Sequence, residues 1–250
     1  TLYEHLSKEA NVILSTDKRG LKYLEKEIFK IEIIDTPKLN NFFFLSFKIF
    51  IILFLTLKSF FLLKRKKIEI IFSTGGYMSL PLILASRLLR LKIYLIEPNQ
   101  VLGRANKYFL KSCKKIFCYS KEVKNFPNTF KNKIVTIKPL VKEHIYDLKS
   151  STDMKGKLTL LIVGGSQGAN IFDKNLKNSI VNISKKKPIK IIQQTNEKNV
   201  SYLSDFYSKN NIENKIFCFD KNFSSTIDQA DLCITRAGAS TLAELSITNT

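Results

Sequence analysis

Leu158-Thr-Leu-Leu-Ile-Val-Gly-Gly-Ser-Gln-Gly-Ala169 is the stretch on which the fold turns. Its first half is an unbroken apolar run, the pattern of a strand buried on both faces, and such strands belong to parallel sheets. Gly164, Gly165 and Gly168 follow at once, letting the chain turn tightly and bring its amides close to a ligand. Ser166 is placed to cap the next helix, whose positive end favours phosphate. Because Ser166 and Gln167 hold the centre of the loop, this is not the G-x-G-x-x-G dinucleotide fingerprint. A tight strand-to-helix turn without any ligand is the other reading of this loop taken alone.

Working outward, the same alternation repeats. Downstream, the periodicity predicts a helix over 169–183, a strand over 189–193, a helix over 200–209, strands over 216–219 and 231–235, and a helix from 240 onward. Upstream, short β-branched runs at 12–14 and 30–34 flank a polar helical stretch at 21–27. Strands at 68–73, 92–97, 116–119 and 134–137 then alternate with helices at 80–91 and 104–111. The polar segment 142–157, with Ser150-Ser-Thr152 and Gly156, interrupts the series and reads as a linker. The expected architecture is therefore α/β: two doubly wound Rossmann-like domains, 1–141 and 158–250, each with its ligand crevice at the carboxyl ends of its strands. The chain opens inside an amphipathic helical pattern, Leu2 and Leu6 one turn apart, and stops where a further strand is due. Both domains are thus expected to be truncated.

Composition narrows the partners less than it first promises. With 250 residues, 44% of them hydrophobic, the chain can bury one large core or two modest ones. A formal charge of +20 would suit a phosphate-rich partner, but lysine carries most of it, and a Lys, Ile, Asn and Phe-rich composition without Trp also follows from genome bias. Charge alone selects no partner. Cys113, Cys118, Cys218 and Cys233 form no C-x-x-C pair and read as reduced core thiols of a cytosolic protein. His5 and His144 have no metal-ligand spacing, so no metal site is expected.

Two further glycine turns follow strands. Ser73-Thr-Gly-Gly-Tyr-Met-Ser79 precedes a helix with Pro81 in its first turn. Thr235-Arg-Ala-Gly-Ala-Ser-Thr-Leu-Ala-Glu244 again runs from strand through glycine to helix. There Glu244 either completes a capping box or turns into the crevice, where a carboxylate can hold the two hydroxyls of a ribose. Equivalent turns in two halves are what a donor and an acceptor that both carry phosphate would require.

The segment Phe42-Phe-Phe-Leu-Ser-Phe-Lys-Ile-Phe-Ile-Ile-Leu-Phe-Leu-Thr-Leu-Lys-Ser-Phe-Phe-Leu-Leu63, followed by Lys64-Arg-Lys-Lys67, fits neither half. It is long enough to span a bilayer, which takes about 20 apolar residues. Yet Lys48 and Lys58 inside it would each cost about 2.5 to 3.5 kcal/mol at a bilayer centre. Asn41, Lys48, Ser59 and Lys66 fall on one line, leaving a wide apolar face. The pattern suits an interfacial helix, with Phe50, Phe54, Phe61, Lys64 and Arg65 as candidate membrane contacts, or a helix packed on its domain.

Taken together and in order, Ser73-Thr-Gly-Gly-Tyr-Met-Ser-Leu-Pro81, Glu97-Pro-Asn-Gln-Val-Leu-Gly-Arg-Ala-Asn-Lys107, Val163-Gly-Gly-Ser-Gln-Gly-Ala169 and Thr235-Arg-Ala-Gly-Ala-Ser-Thr-Leu-Ala-Glu244 resemble the successive signatures of the MurG family. The resemblance implies a GT-B glycosyltransferase whose two domains face a cleft. Such an enzyme moves N-acetylglucosamine from UDP-N-acetylglucosamine to undecaprenyl-diphosphate-linked muramoyl pentapeptide, with inversion and with no cofactor. It implies donor contacts at Gly164, Gly165, Ser166, Gln167, Gly168, Arg236, Gly238 and Glu244, with Glu244 on the ribose. It implies acceptor contacts at Gly75, Gly76, Tyr77, Glu97 and Asn99. A peripheral place on the cytoplasmic face of the inner membrane, an anionic lipid surface and cell-wall synthesis proteins as partners follow from it too, and nucleic acid does not.

Several departures qualify the resemblance. The family's first glycine loop, with a His that is a candidate for acceptor activation, would precede Thr1, and its paired donor glutamines would follow Thr250. The catalytic base is therefore not assigned, and the chain by itself is expected to be inactive. Lys138-Pro-Leu-Val141 stands where relatives have Asn-Pro-hydrophobic-Arg, passing that contact to Lys142 if it survives, and Pro98 stands where a Gln is usual. Rival readings are another GT-B lipid glycosyltransferase and a nucleotide- or membrane-binding piece without catalysis.

Overall fold

The computed structural model describes residues 2–21, 24, 29–37, 45–141, 156–164, 170–220, 223–236 and 238–248. The chain divides into two compact units, Thr1–Pro139 and Leu140–Thr250.

The first unit opens with α1 (Leu2–Ser7), β1 (Leu14–Thr16), α2 (Lys18–Leu21) and β2 (Ile31–Ile33), where β1 and β2 form a parallel pair with Leu14 opposite Ile31. Then come α3 (Leu45–Arg65), β3 (Ile70–Ser73), α4 (Leu80–Leu88), β4 (Lys92–Glu97), α5 (Arg104–Phe109), β5 (Lys115–Cys118) and β6 (Ile134–Thr136). Strands β3, β4, β5 and β6 lie side by side in chain order, all parallel. Alternation along β4 divides the sheet's two faces. Ile93 and Leu95 enter a core with Ile83, Phe109, Leu110 and Ile116, while Tyr94 on the other face stacks between Phe72 and Phe117.

Helix α3 packs on α4, and its inner face is the one that carries the polar line. Ser59 is fully buried beside Ile52, Leu55, Thr56 and Leu63; the Thr56 hydroxyl donates back to the Ile52 carbonyl at 2.8 Å, and Lys66 reaches Glu32 at 3.6 Å. The outward face is mostly apolar: Phe47, Phe50, Leu53, Phe54, Leu57 and Phe61 are all exposed, Phe50 at 75%, with Lys58 exposed among them. An interfacial helix on its own would turn its polar stripe to water; here the stripe meets the domain instead, because α4 supplies the packing. Among the described residues no helix is long and apolar enough to cross a membrane.

The second unit runs β7 (Leu158–Val163), α6 (Asn170–Asn175), α7 (Lys177–Ser184), β8 (Ile189–Gln194), α8 (Val200–Lys209), β9 (Glu213–Phe217), α9 (Phe223–Asp228), β10 (Leu232–Thr235) and α10 (Ala239–Thr248). The sheet order is β10-β7-β8-β9, again fully parallel. Strand β7 explains its own composition: Leu160 and Ile162 enter one core with Ile180, Leu203 and Tyr207, and Leu161 and Val163 enter another with Ile227 and Leu245. Each such side chain, fully buried, contributes about 1.5 to 3 kcal/mol.

The boundaries differ from expectation in instructive ways. The single helix expected over 169–183 is divided at Leu176, yet helical bonds from the Leu176 amide to the Phe172 carbonyl and from Ile180 to Leu176 run across the division. The last edge strand lies at Glu213–Phe217 rather than 216–219. Its exposed face is held by Glu213 with Lys157 and Lys190, so charge hides the alternation. Helix α9, not expected, buries Ile227 and packs Phe223, one turn away, against the same core. Of the four cysteines expected in the core, Cys113 and Cys118 are buried and Cys233 is half-buried. Cys218 is exposed, because it follows the last paired residue of an edge strand.

A buried polar network ties α6 to β8. Asp173, 6% exposed, accepts from Gln193 Nε2 at 2.8 Å, from the Thr195 hydroxyl at 2.6 Å and from Asn199 Nδ2 at 2.8 Å. The Tyr207 hydroxyl donates to Gln193 Oε1 at 2.9 Å, and burial together with the Asp173 charge raises its pKa. Tyr207→Phe is expected to destabilise the protein by about 1–3 kcal/mol, since it strands a buried amide oxygen. Chemical denaturation would measure it, and a smaller effect than this would mean that water reaches Gln193.

Candidate functional site

In the second unit the chain builds outward from β7 to β8 and β9, then crosses back to place β10 on the other flank of β7. That reversal is a topological switch point, and crevices open at the carboxyl ends of the strands beside it. Gly164 follows β7 there, and Arg236 and Gly238 follow β10, so two turns widely separated in sequence meet at neighbouring strand ends, with Val163 opposite Thr235. A pocket of about 200 Å³ lies at these ends, lined by Val163, Gln194, Phe217, Phe219, Asp220, Phe223, Ser240, Thr241 and Glu244. A larger hollow of about 420 Å³ is bordered by Lys121, Lys131, Ile134 and Thr136 and by none of the sequence-predicted residues.

The position of Glu244 removes one of its two readings. Helix α10 begins at Ala239, and the Leu242 amide bonds back to the Gly238 carbonyl at 2.9 Å, which makes Gly238 the cap. Glu244 therefore lies in the second turn, beyond the capping-box position, and faces the pocket with Ser240 and Thr241. Gly165, Ser166, Gln167 and Gly168 lie outside the described residues, as do most of 142–157 and Lys142 within it. Arg236 and Gly238 are exposed at the rim.

Sequence reasoning missed the aromatic wall of this pocket. Phe217, Phe219 and Phe223 come from the end of β9, the following loop and α9, and the signal was three Phe within seven residues, two and then four places apart, in Phe217-Cys-Phe-Asp-Lys-Asn-Phe223. It also missed Gln194, whose Nε2 donates to the Cys218 carbonyl at 3.3 Å, joining the ends of β8 and β9.

In the first unit, the turn after β3 brings Gly75 and Gly76 to φ of 81° and 82°, the left-handed region that favours glycine. The Gly75 amide donates to Ser73 Oγ at 3.1 Å, the Ser79 hydroxyl donates to the Gly76 carbonyl at 2.8 Å, and Tyr77 starts the helical turn leading into α4. Glu97, placed among the acceptor contacts from sequence, is a buried anion at the end of β4. It is 2% exposed, and its carboxylate accepts from the Asn99 amide and side chain, at 3.2 and 2.9 Å, from the Gly103 amide at 2.7 Å and from Asn106 Nδ2 at 3.0 Å. The ends of a carboxylate surrounded in this way organise their own loop; Glu97 holds Asn99, which stays exposed. Burial and the Glu97 charge push the neighbouring Cys118 thiol up to about 11, so it is a neutral core group.

Asn106 ties the two loops. It is 2% exposed, donates to the Ile96 carbonyl at 3.1 Å as well as to Glu97, and its Oδ1 lies 2.8 Å from where a Cβ on Gly75 would stand. A Cβ on Gly76 would meet nothing nearer than Met78 Cγ at 3.7 Å. Both alanine variants bear the cost of positive φ, about 1 kcal/mol, but only Gly75→Ala must also displace Asn106. Gly75→Ala is therefore expected to lower the unfolding midpoint clearly more than Gly76→Ala; equal losses would show that Asn106 yields freely.

The comparisons with known proteins agree with this geometry. The glycosyltransferase family 28 N-terminal domain matches residues 1–118, and the family's C-terminal domain matches residues 159–250. The chain is 43% identical, over all of its length and 70% of the relative's, to the UDP-N-acetylglucosamine–N-acetylmuramyl-(pentapeptide) pyrophosphoryl-undecaprenol N-acetylglucosamine transferase of Pelagibacter ubique (strain HTCC1062). It is 35% identical to the protein of the same name from Rickettsia felis (strain ATCC VR-1525 / URRWXCal2), over 92% of this chain and 67% of that one. Among solved structures, Acinetobacter baumannii MurG superposes with a TM-score of 0.67 at 25% identity, covering 98% of this chain and 68% of that one. With both of its domains matched and these relatives aligned along it, the chain belongs to the MurG family of glycosyltransferases.

Proposed function

We propose that this protein transfers N-acetylglucosamine from UDP-N-acetylglucosamine to the muramoyl pentapeptide carried on undecaprenyl diphosphate, a step of peptidoglycan synthesis. The observation that carries the reading is the pocket at the switch point of the second sheet, with Glu244 on its wall, in a chain whose named relatives are transferases of this kind. In this reading the aromatic side chains Phe217, Phe219 and Phe223 flank the base, and Glu244 accepts the ribose hydroxyls. Gly164, Arg236, Gly238 and the loop 165–168 lie about the diphosphate, where backbone amides stabilise the charge that develops on the departing UDP. The turn Gly75-Gly76-Tyr77 takes the acceptor's diphosphate, and Asn99, positioned by Glu97, takes its sugar. Glu244→Ala is expected to weaken UDP binding by about 3 kcal/mol, the worth of two hydrogen bonds to a charged group, and to leave acceptor affinity unchanged. Calorimetry with UDP decides it: undiminished affinity in the folded variant would remove Glu244 from the donor site.

The outward face of α3 supports docking on a membrane. Phe50, Phe54 and Phe61 stand on that face, and Lys64 and Arg65 are exposed at its end. An acceptor on a long lipid carrier stays at the bilayer surface, so an enzyme that binds there meets it directly. Apolar burial combined with about 1 kcal/mol per basic residue near anionic lipid gives peripheral binding that salt weakens. The protein is expected to float with anionic vesicles at low salt, less so at high salt, and Phe50→Glu with Phe54→Glu should abolish flotation. Flotation indifferent to both lipid charge and these substitutions would place the docking surface elsewhere.

A further inference from the structure

We infer that Arg19 is a phosphate-binding residue of the acceptor site. This deepens the acceptor reading of the Gly75-Gly76-Tyr77 turn and rests on it. Arg19 lies in α2, far from that turn in sequence, and the fold lays its guanidinium over the Tyr77 ring, 5.0 Å from the centroid. Two anchors fix it there. Asp17, 4% exposed, accepts the Arg19 amide at 3.0 Å and the Gly20 amide at 2.8 Å through Oδ1, and pairs with Arg19 Nη2 through Oδ2. Thr36 accepts a long contact from the same Nη2 at its carbonyl, 3.5 Å, and its hydroxyl donates to the Met78 carbonyl at 3.3 Å, which joins this cluster to the turn itself.

Of the five N–H donors of the guanidinium, the Asp17 and Thr36 contacts use Nη2 alone, and the Tyr77 side chain is a further partner of the group. Yet the Arg19 side chain remains 42% exposed beside an exposed glycine whose φ is positive. A planar guanidinium held in one orientation, with an open edge beside a turn whose leading amides have no intrahelical partner, matches the oxygens of a phosphate group. Asp17 shares its charge among two amides and the guanidinium, so it orients Arg19 while leaving it a cation. The ligand chemistry is the diphosphate of the acceptor, bound through paired charge-assisted hydrogen bonds.

The test uses the full-length transferase, with UDP-N-acetylglucosamine and two water-soluble acceptors: short-prenyl muramoyl pentapeptides linked through a diphosphate or through a monophosphate. Arg19→Gln is expected to raise KM for the diphosphate acceptor about 10- to 100-fold, the worth of a charge-assisted contact. KM for the donor should change little, the unfolding midpoint should fall because the buried Asp17 Oδ2 loses its partner, and the wild-type preference for diphosphate over monophosphate should collapse. Arg19→Lys, which keeps the charge without the fork, should recover part of the loss. An active wild type whose Arg19→Gln variant keeps its acceptor KM, or loses both acceptors and the donor by one common factor, overturns the inference and leaves the proposed function standing. A wild type that transfers to neither acceptor overturns both. If Arg19→Gln does not fold, the Arg19→Lys preference ratio decides: a ratio equal to that of the wild type counts against a phosphate contact.

Discussion

In each half of this protein one buried carboxylate holds the chain at the end of a strand. Glu97 gathers the Asn99 and Gly103 amides and the Asn99 and Asn106 side chains; Asp173 gathers Gln193, Thr195 and Asn199. A carboxylate so far from water is tolerable only when its oxygens are met by donors, and each missing donor costs about 1–3 kcal/mol. The requirement works in both directions: the loops must close on the anion, and once closed they have little freedom to drift. The turn at Gly75 and Gly76 is thus backed, through Asn106, by a fixed loop, which is what positioning a phosphate demands.

The sheets decide where these loops point. In the first unit the strands follow one another in chain order, whereas in the second β10 returns beside β7. The reversal opens the crevice, and it puts the end of β7 next to the end of β10 although some seventy positions of sequence, the spacing of Val163 and Thr235, lie between them. Three phenylalanines from β9, its following loop and α9 then line the pocket's side with flat apolar surface, and Glu244 brings a carboxylate to its wall. Binding of a nucleotide needs both, since the base gains from burial and the ribose from hydrogen bonds.

Helix α3 shows how packing can reverse a pattern's meaning. A line of polar residues on an otherwise apolar helix would ordinarily mark the side facing water. Here Ser59 is buried while Phe50 and Phe54 face outward, because small side chains let two helices approach; the Thr56 hydroxyl is satisfied locally on Ile52, whereas the Ser59 hydroxyl finds no hydrogen-bond partner among the described residues. The apolar surface left outside exceeds what a single scattered residue would present, and such patches mark contact with a membrane or a partner.

Much was legible in the sequence because it depends on neighbours along the chain. The apolar run at Leu158–Val163, the strand at Lys92–Glu97 and the helix at Val200–Lys209 stand where periodicity put them, since burial on a strand or helix repeats at a fixed local interval. The glycine turns were legible for a similar reason: positive φ at Gly75 and Gly76 is a local demand that few other residues meet. What only the tertiary structure decided involves residues brought together from distant positions. It surrounded Glu97 with the donors of its own loop, put Glu244 in the second turn of its helix and facing the pocket, turned the polar stripe of α3 inward, and set Arg19 over Tyr77. A carboxylate or a guanidinium looks the same in sequence whether it meets a ligand or a backbone amide, and only the packed chain determines which donor or acceptor lies within 3 Å of it.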